Sequence, residues 1–173
     1  TLVAVDGDVT LGLFDQTKRL PQSATHLVIS SGGNDALNAL ERLNLPVDSM
    51  RSALTRLADI QDEFESNYRA MLDHVLLLGR HTAVCSIYES IPGLDRHLRT
   101  ALSLFNDVIL REAIRAQIPV IDLRYICTLP GDYSVISPIE PSSAGGMKIA
   151  KAIAALLLKH DFNAPGTMIA KGA

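Results

Sequence analysis

Short apolar runs alternate with long helical patterns along this chain, and no other feature of the sequence constrains its fold as strongly. Leu2-Val3-Ala4-Val5, Thr25 to Ser30 (THLVIS), Thr82 to Ile87 (TAVCSI) and Pro119 to Leu123 (PVIDL) have the length and apolar content of buried strands. Leu11 to Leu20 reads as a short helix stopped by Pro21. Met50, Leu54, Leu57, Ile60 and Phe64, followed by Tyr68, Leu72 and Val75, recur at helical spacing between Asp48, an expected N-cap, and Gly79, an expected C-cap. Further helices are expected from about Leu94 to Gln117 and from Ser142 to Lys159. Strands separated by helices imply right-handed crossovers, so the expected fold class is α/β. The architecture is an open, mainly parallel, doubly wound sheet with helices on both faces. One domain is expected over 1–160, with 161–173 a tail that has no periodic pattern.

Composition narrows the function classes. The 173 residues are 47% hydrophobic, enough for one sizeable core. A net charge of −3 with interspersed signs offers no basic stripe for a phosphate backbone, and an aromatic content of 5% leaves few platforms for stacked bases, so nucleic acid is not an expected partner. No uninterrupted apolar run of about 18 residues occurs, which argues against a membrane span. Cys85 and Cys127 each sit in an apolar run and read as buried thiols of a reducing compartment, which favours the cytoplasm. Thr1 leads straight into strand-like residues, so the chain is expected to begin in mid-domain.

In a doubly wound sheet, ligands bind beyond the carboxyl ends of the strands. Two expected strands end in such loops, Asp6-Gly7-Asp8 and Ser31-Gly32-Gly33-Asn34-Asp35. Gly7 through its backbone N–H and Asn34 through its side-chain amide suit the task of stabilising an oxyanion, although both also suit a tight turn and a helix cap. The irregular stretch from Arg124 to Ser142, with Pro130, Gly131, Pro138 and Pro141, is long enough to border a site. Asp122 is read as a site residue or a loop cap, and Tyr88 and Glu89 as pocket-lining or loop-shaping residues. His26, His74, His81, His97 and His160 show no ligand spacing, so neither a metal nor an organic cofactor is expected.

Ser31-Gly32-Gly33-Asn34-Asp35 resembles the Gly-x-Asn-Asp block of SGNH (GDSL-type) hydrolases, and Val5-Asp6-Gly7-Asp8-Val9-Thr10 is similar to the preceding block of that family. Pro138-Ile139-Glu140-Pro141-Ser142, running on through Gly145-Gly146 to Ile149-Ala150, resembles the block that leads into the family's last helix. The resemblance implies a flavodoxin-like three-layer fold and hydrolysis of small acyl esters through a serine acyl-enzyme, with Asn34 and Gly7 as oxyanion donors. It places the nucleophilic serine in a Gly-Asp-Ser block upstream of Gly7, on a central strand absent from these residues. Where the family has Asp-x-x-His, this chain has Ser137 and Glu140. Without that strand, two edges are expected to lie open and to favour a homo-oligomer.

Two other readings start from the same residues. Leu2-Val3-Ala4-Val5-Asp6-Gly7-Asp8-Val9-Thr10 is also similar to the signature of haloacid dehalogenase-like phosphatases. That resemblance implies Asp6 as nucleophile, Asp8 as acid–base, Ser30 or Ser31 as phosphate ligand and Mg²⁺ as counter-charge. The third reading is a catalytically inactive, truncated remnant that retains the pocket for binding.

Overall fold

The computed structural model describes residues 1–171. Thr10–Gly12, α1 (Leu13–Gln16) and Thr17–Arg19 form one short helical passage, 3-10 at both ends, which ends ahead of Pro21. β1 (His26–Ile29) follows, then the short helices α2 (Gly33–Asn38) and α3 (Leu40–Leu43) and the long helix α4 (Met50–Leu76). β2 (His81–Cys85), α5 (Arg96–Arg115), β3 (Val120–Ile121), α6 (Ser143–Lys159) and β4 (Ile169–Ala170) complete the chain. The sheet order is β1-β2-β3-β4 and every pairing is parallel.

Alternation along the strands explains why helices cover both faces. Ile29, Val84 and Val120 join the buried faces of α4 and α5, where Ile60, Phe64, Tyr68, Met71, Leu72, Phe105, Val108 and Ile109 form the larger core. Ala83, Cys85 and Ile121 point the other way and pack with Ala152 and Leu156 of α6. Successive strand residues therefore serve opposite layers, as pleating requires. A buried carboxylate ties α4 to α5: Glu112 accepts from Arg69 Nη2 at 2.6 Å and from Arg115 Nε at 2.7 Å. Burial opposes its ionisation, but the two guanidinium groups hold Glu112 below the usual carboxylate range.

Several expectations need correction. Leu2–Val5 is not a strand, and Leu2 is 87% exposed. A strand is defined by its ladder, and this segment pairs with none among the described residues; Arg19 Nη2 donates to Val3 O at 2.9 Å instead. The cap of α4 is Ser49 rather than Asp48, because the Ser49 hydroxyl lies 3.1 Å from Ser52 N. The stretch 161–173, in which no element was expected, supplies β4. Among the described residues no helix is long and apolar enough to cross a membrane.

Two adjacent glycines of α6 test how closely that helix docks. A methyl group at Gly145 would collide with the Asp132 backbone carbonyl, whereas one at Gly146 meets nothing within 4 Å. Gly145→Ala is expected to lower stability by about 1–3 kcal/mol through overpacking. Gly146→Ala is expected to raise it by about 0.5–1 kcal/mol, the helix-propensity difference. Urea unfolding of both variants measures the contrast.

Candidate functional site

Because the strands are parallel, the loops after β1, β2 and β3 converge on one edge of the sheet, and a cavity of about 310 Å³ opens there. Asp6, Asp8, Ser31, Asn34, Ser86 and Glu140 contribute polar groups to its lining. Leu37, Leu40, Leu94, Leu98, Leu102 and Phe105 form an apolar wall from α2 to α5. Such a lining, mostly apolar with a few convergent polar groups, is typical of a small-molecule site.

Gly32 ends the loop after β1 at φ +110°, a left-handed conformation that side chains rarely adopt. A Cβ there would also sit 3.0 Å from Phe64 Cζ and 3.3 Å from Ile87 Cδ1, so glycine is required twice over. The turn carries Asn34 onto α2 with its side chain facing the 6–10 loop, where Nδ2 donates to Asp8 O at 2.7 Å. An amide nitrogen carries two hydrogens, so this bond fixes the group and leaves one donor for a ligand.

Side chains stitch the 6–10 loop in place. Buried Thr10 donates through its N–H and its hydroxyl to Asp35 Oδ2, both at 3.0 Å, and its Oγ1 lies 2.9 Å from Ser31 Oγ. Gln16 Nε2 donates to Asp8 Oδ2 at 2.7 Å, and Val9 N to Asp8 Oδ1 at 3.1 Å. Burial is the largest influence on Asp35 and raises its carboxyl above the ordinary value, although the Thr10 donors oppose the shift.

A second network forms the floor. Ser86 Oγ donates to Asp122 Oδ1 at 2.8 Å and accepts from Leu123 N at 2.9 Å. Arg124 reaches the same carboxylate through Nε at 2.8 Å and Nη2 at 2.6 Å. Burial works against ionisation of Asp122, but these donors prevail and hold it below the usual range. Tyr88 both lines the cavity and fixes a loop, its hydroxyl donating to Ile139 O at 2.6 Å, and burial pushes that hydroxyl up to about 12.

The expected site residues divide into two groups. Asn34 and Glu140 line the cavity, Glu140 from an exposed position at the rim. Gly7 is exposed just outside, one residue from the Asp8 carbonyl that holds Asn34. Ser137 is half-buried outside the cavity, where its N–H donates to Ser134 Oγ at 3.3 Å. Ser86, its bond to Asp122, and the Thr10–Asp35 pairing were not foreseen, since contacts between segments so far apart leave no local spacing signal. Both cysteines are free and buried, and burial pushes the Cys85 thiol up to about 12.

The phosphatase reading finds Asp6, Asp8, Ser30 and Ser31 together at the cavity. Its signature strand does not form, however, and both Asp8 oxygens are engaged by protein donors. Among the described residues no group of three or more His, Cys, Asp or Glu side chains is placed to hold a metal ion.

No protein-family model and no curated protein matches the chain. Three solved structures do. An acetyl xylan esterase, AlAXEase, is similar at TM-score 0.63 and 16% identity, over 88% of this chain and 78% of that one. An extracellular lipase from Streptomyces rimosus is similar at TM-score 0.56 and 19% identity, over 83% and 76% of the two chains. Phospholipase A1 from Streptomyces albidoflavus NA297 is similar at TM-score 0.52 and 20% identity, over 80% and 65%. What they share with this chain is the fold.

Asp35 and Asp122 should respond to pH in opposite senses. Asp35, with its folded pKa raised, stabilises fully below the unfolded value of about 4 and loses that contribution as pH rises through the folded pKa. Asp122, with its folded pKa lowered, contributes above about 4 and loses it as pH falls through the folded pKa. Asp35→Asn is expected to abolish the decline in stability on the rising side, since its Oδ1 still accepts from Thr10. Ser86→Ala, which leaves the Leu123 N–H unpaired, is expected to cost about 1–3 kcal/mol. Urea unfolding at a series of pH values checks both.

Proposed function

We propose that the cavity is the acyl-ester site of an SGNH-type ester hydrolase. One observation carries this reading: at the carboxyl edge of the parallel sheet, a fixed Asn34 amide with one N–H to spare stands at the head of an apolar wall. The three similar folds, named as a lipase, an acetyl xylan esterase and a phospholipase, support the same chemistry.

In this reading the acyl chain of a small ester lies against Leu37, Leu98 and Leu102, and its carbonyl oxygen faces Asn34 Nδ2. In the resembled family the attacking group is a serine hydroxyl of a Gly-Asp-Ser block that these residues do not include, and its attack puts negative charge on that oxygen. The Asn34 N–H, already oriented by Asp8 O, stabilises it without reorganisation, and Gly7, the second donor by resemblance, lies exposed just outside the cavity. The protein bonds made by Ser31 and Ser86 leave neither hydroxyl paired with a histidine. No Gly-Asp-Ser segment occurs in the 173 residues, and Glu140 stands where the resembled block has its base. Turnover by these residues alone therefore rests on the oxyanion hole and on binding, which typically retain about 10³–10⁴-fold acceleration over water. The inactive-remnant reading keeps the same cavity for binding without turnover.

Hydrolysis of short p-nitrophenyl esters, measured beside Asn34→Ala, separates these readings. The expected result is slow hydrolysis that falls by about 10²-fold or more in the variant, the usual effect of removing one oxyanion donor. Equal rates for the two proteins would overturn hydrolysis at this site.

A further inference from the structure

The stretch between β3 and α6 contains a turn that is closed by its own hydrogen bonds. Tyr133 pairs antiparallel with Pro141, and Ser134 N donates to Glu140 O at 2.8 Å. Inside that base, Glu140 N donates to Ser137 O at 2.9 Å, while Ile136 N and Ser137 N donate to Ser134 Oγ at 3.2 and 3.3 Å. Buried Tyr133 anchors the base through its hydroxyl, which donates to Cys127 O at 2.7 Å. The turn is thus held in shape, yet Val135 is 98% exposed and Ile136 93% exposed at its tip. Two adjacent aliphatic side chains fixed in water in this way mark a contact surface.

The same turn borders the cavity. Ile139 and Glu140 belong to the cavity lining, and Tyr88 holds the turn there through its bond to Ile139 O at 2.6 Å. From Tyr133 to Ile139 the sequence (YSVISPI) contains no carboxylate, ammonium, guanidinium or imidazole group, so covering the tip would strip water from no charge. Two side chains at a protruding tip supply far less than the roughly 800 Å² per partner of a stable protein contact, whereas shallow insertion into acyl chains needs no complementary surface. A net charge of −3 adds no attraction to an anionic layer. We infer that Val135 and Ile136 insert into the surface of a lipid layer of no net charge and hold the cavity rim against it. The contact is independent of turnover and serves a hydrolase or a binding protein alike.

Flotation of the whole chain with phosphatidylcholine vesicles tests this. The wild type is expected to float with the vesicles, and Val135→Ser/Ile136→Ser to lower that partition by about tenfold or more, with an unchanged circular dichroism spectrum because both side chains lie outside the core. Leu77→Ser is the control: Leu77 is 86% exposed just past α4, whose end leads into the start of β2 at the opposite edge of the sheet, and its loss should leave partition unchanged. The chain has no tryptophan, so Ile136→Trp places a single indole at the tip, whose emission should shift to the blue when vesicles are added. A wild type that stays in the aqueous phase overturns the inference, as does a double variant that floats like the wild type. Equal loss in Leu77→Ser also overturns it, since adsorption would then be unspecific, and so does binding confined to vesicles that contain phosphatidylserine. An Ile136→Trp emission already blue-shifted without lipid, in a protein that light scattering shows to be dimeric, would assign the tip to a second copy instead.

Discussion

Parallel pairing of β1, β2 and β3 is the constraint from which the rest of this structure follows. Parallel neighbours need a crossover between them, and the crossovers here are the short α2–α3 pair with α4, and α5. α4 and α5 bury one face of the strands and α6 the other, which is why Val84 and Val120 serve one core while Ala83, Cys85 and Ile121 serve the other. All strands then end at one edge. Three loops with independent sequences meet there, and the cavity is the space that they leave.

What holds that edge is hydrogen bonding by side chains rather than a ladder. Thr10 brings three groups together on Asp35 and Ser31, and Asn34 spans to Asp8 O, so the 6–10 segment is positioned although it belongs to no strand. Each of these bonds is partly shielded from water, which raises the cost of losing a partner. The same shielding lifts Asp35 above the ordinary carboxylate value, whereas Asp122, with Arg124 and Ser86 as donors, moves the other way. Two carboxylates at one edge are thus driven apart, Asp35 by burial and Asp122 by the donors that overcome it.

The sequence made the layers legible but not the stitching. Helices expected over Leu94 to Gln117 and Ser142 to Lys159 appear as Arg96–Arg115 and Ser143–Lys159, because periodic burial acts locally. Leu2–Val5 has the composition of a strand, yet composition cannot supply a neighbour, and without a ladder the run stays irregular. β4 escaped notice because two residues, Ile169 and Ala170, carry no period at all. Within the site, Asn34 was legible from the glycine turn that precedes it. Ser86 was not: it matters only because Asp122, thirty-six residues later, ends the neighbouring strand beside it.

That contrast bears on which polar residues at this edge are available for chemistry. Ser86 has its hydroxyl donating to one group and accepting from another, and Asp122 is shared among Ser86, the Arg124 backbone and the Arg124 side chain. Groups so fully engaged build the floor of a cavity; engaging a substrate would mean breaking bonds that no ligand replaces. Asn34 differs because one bond orients it and one hydrogen remains, the state that a preorganised donor needs. Asn34 and the apolar wall line the same cavity, and apolar surroundings strengthen a donor's interaction with charge. Availability, more than proximity to the cavity, distinguishes Asn34 from its polar neighbours.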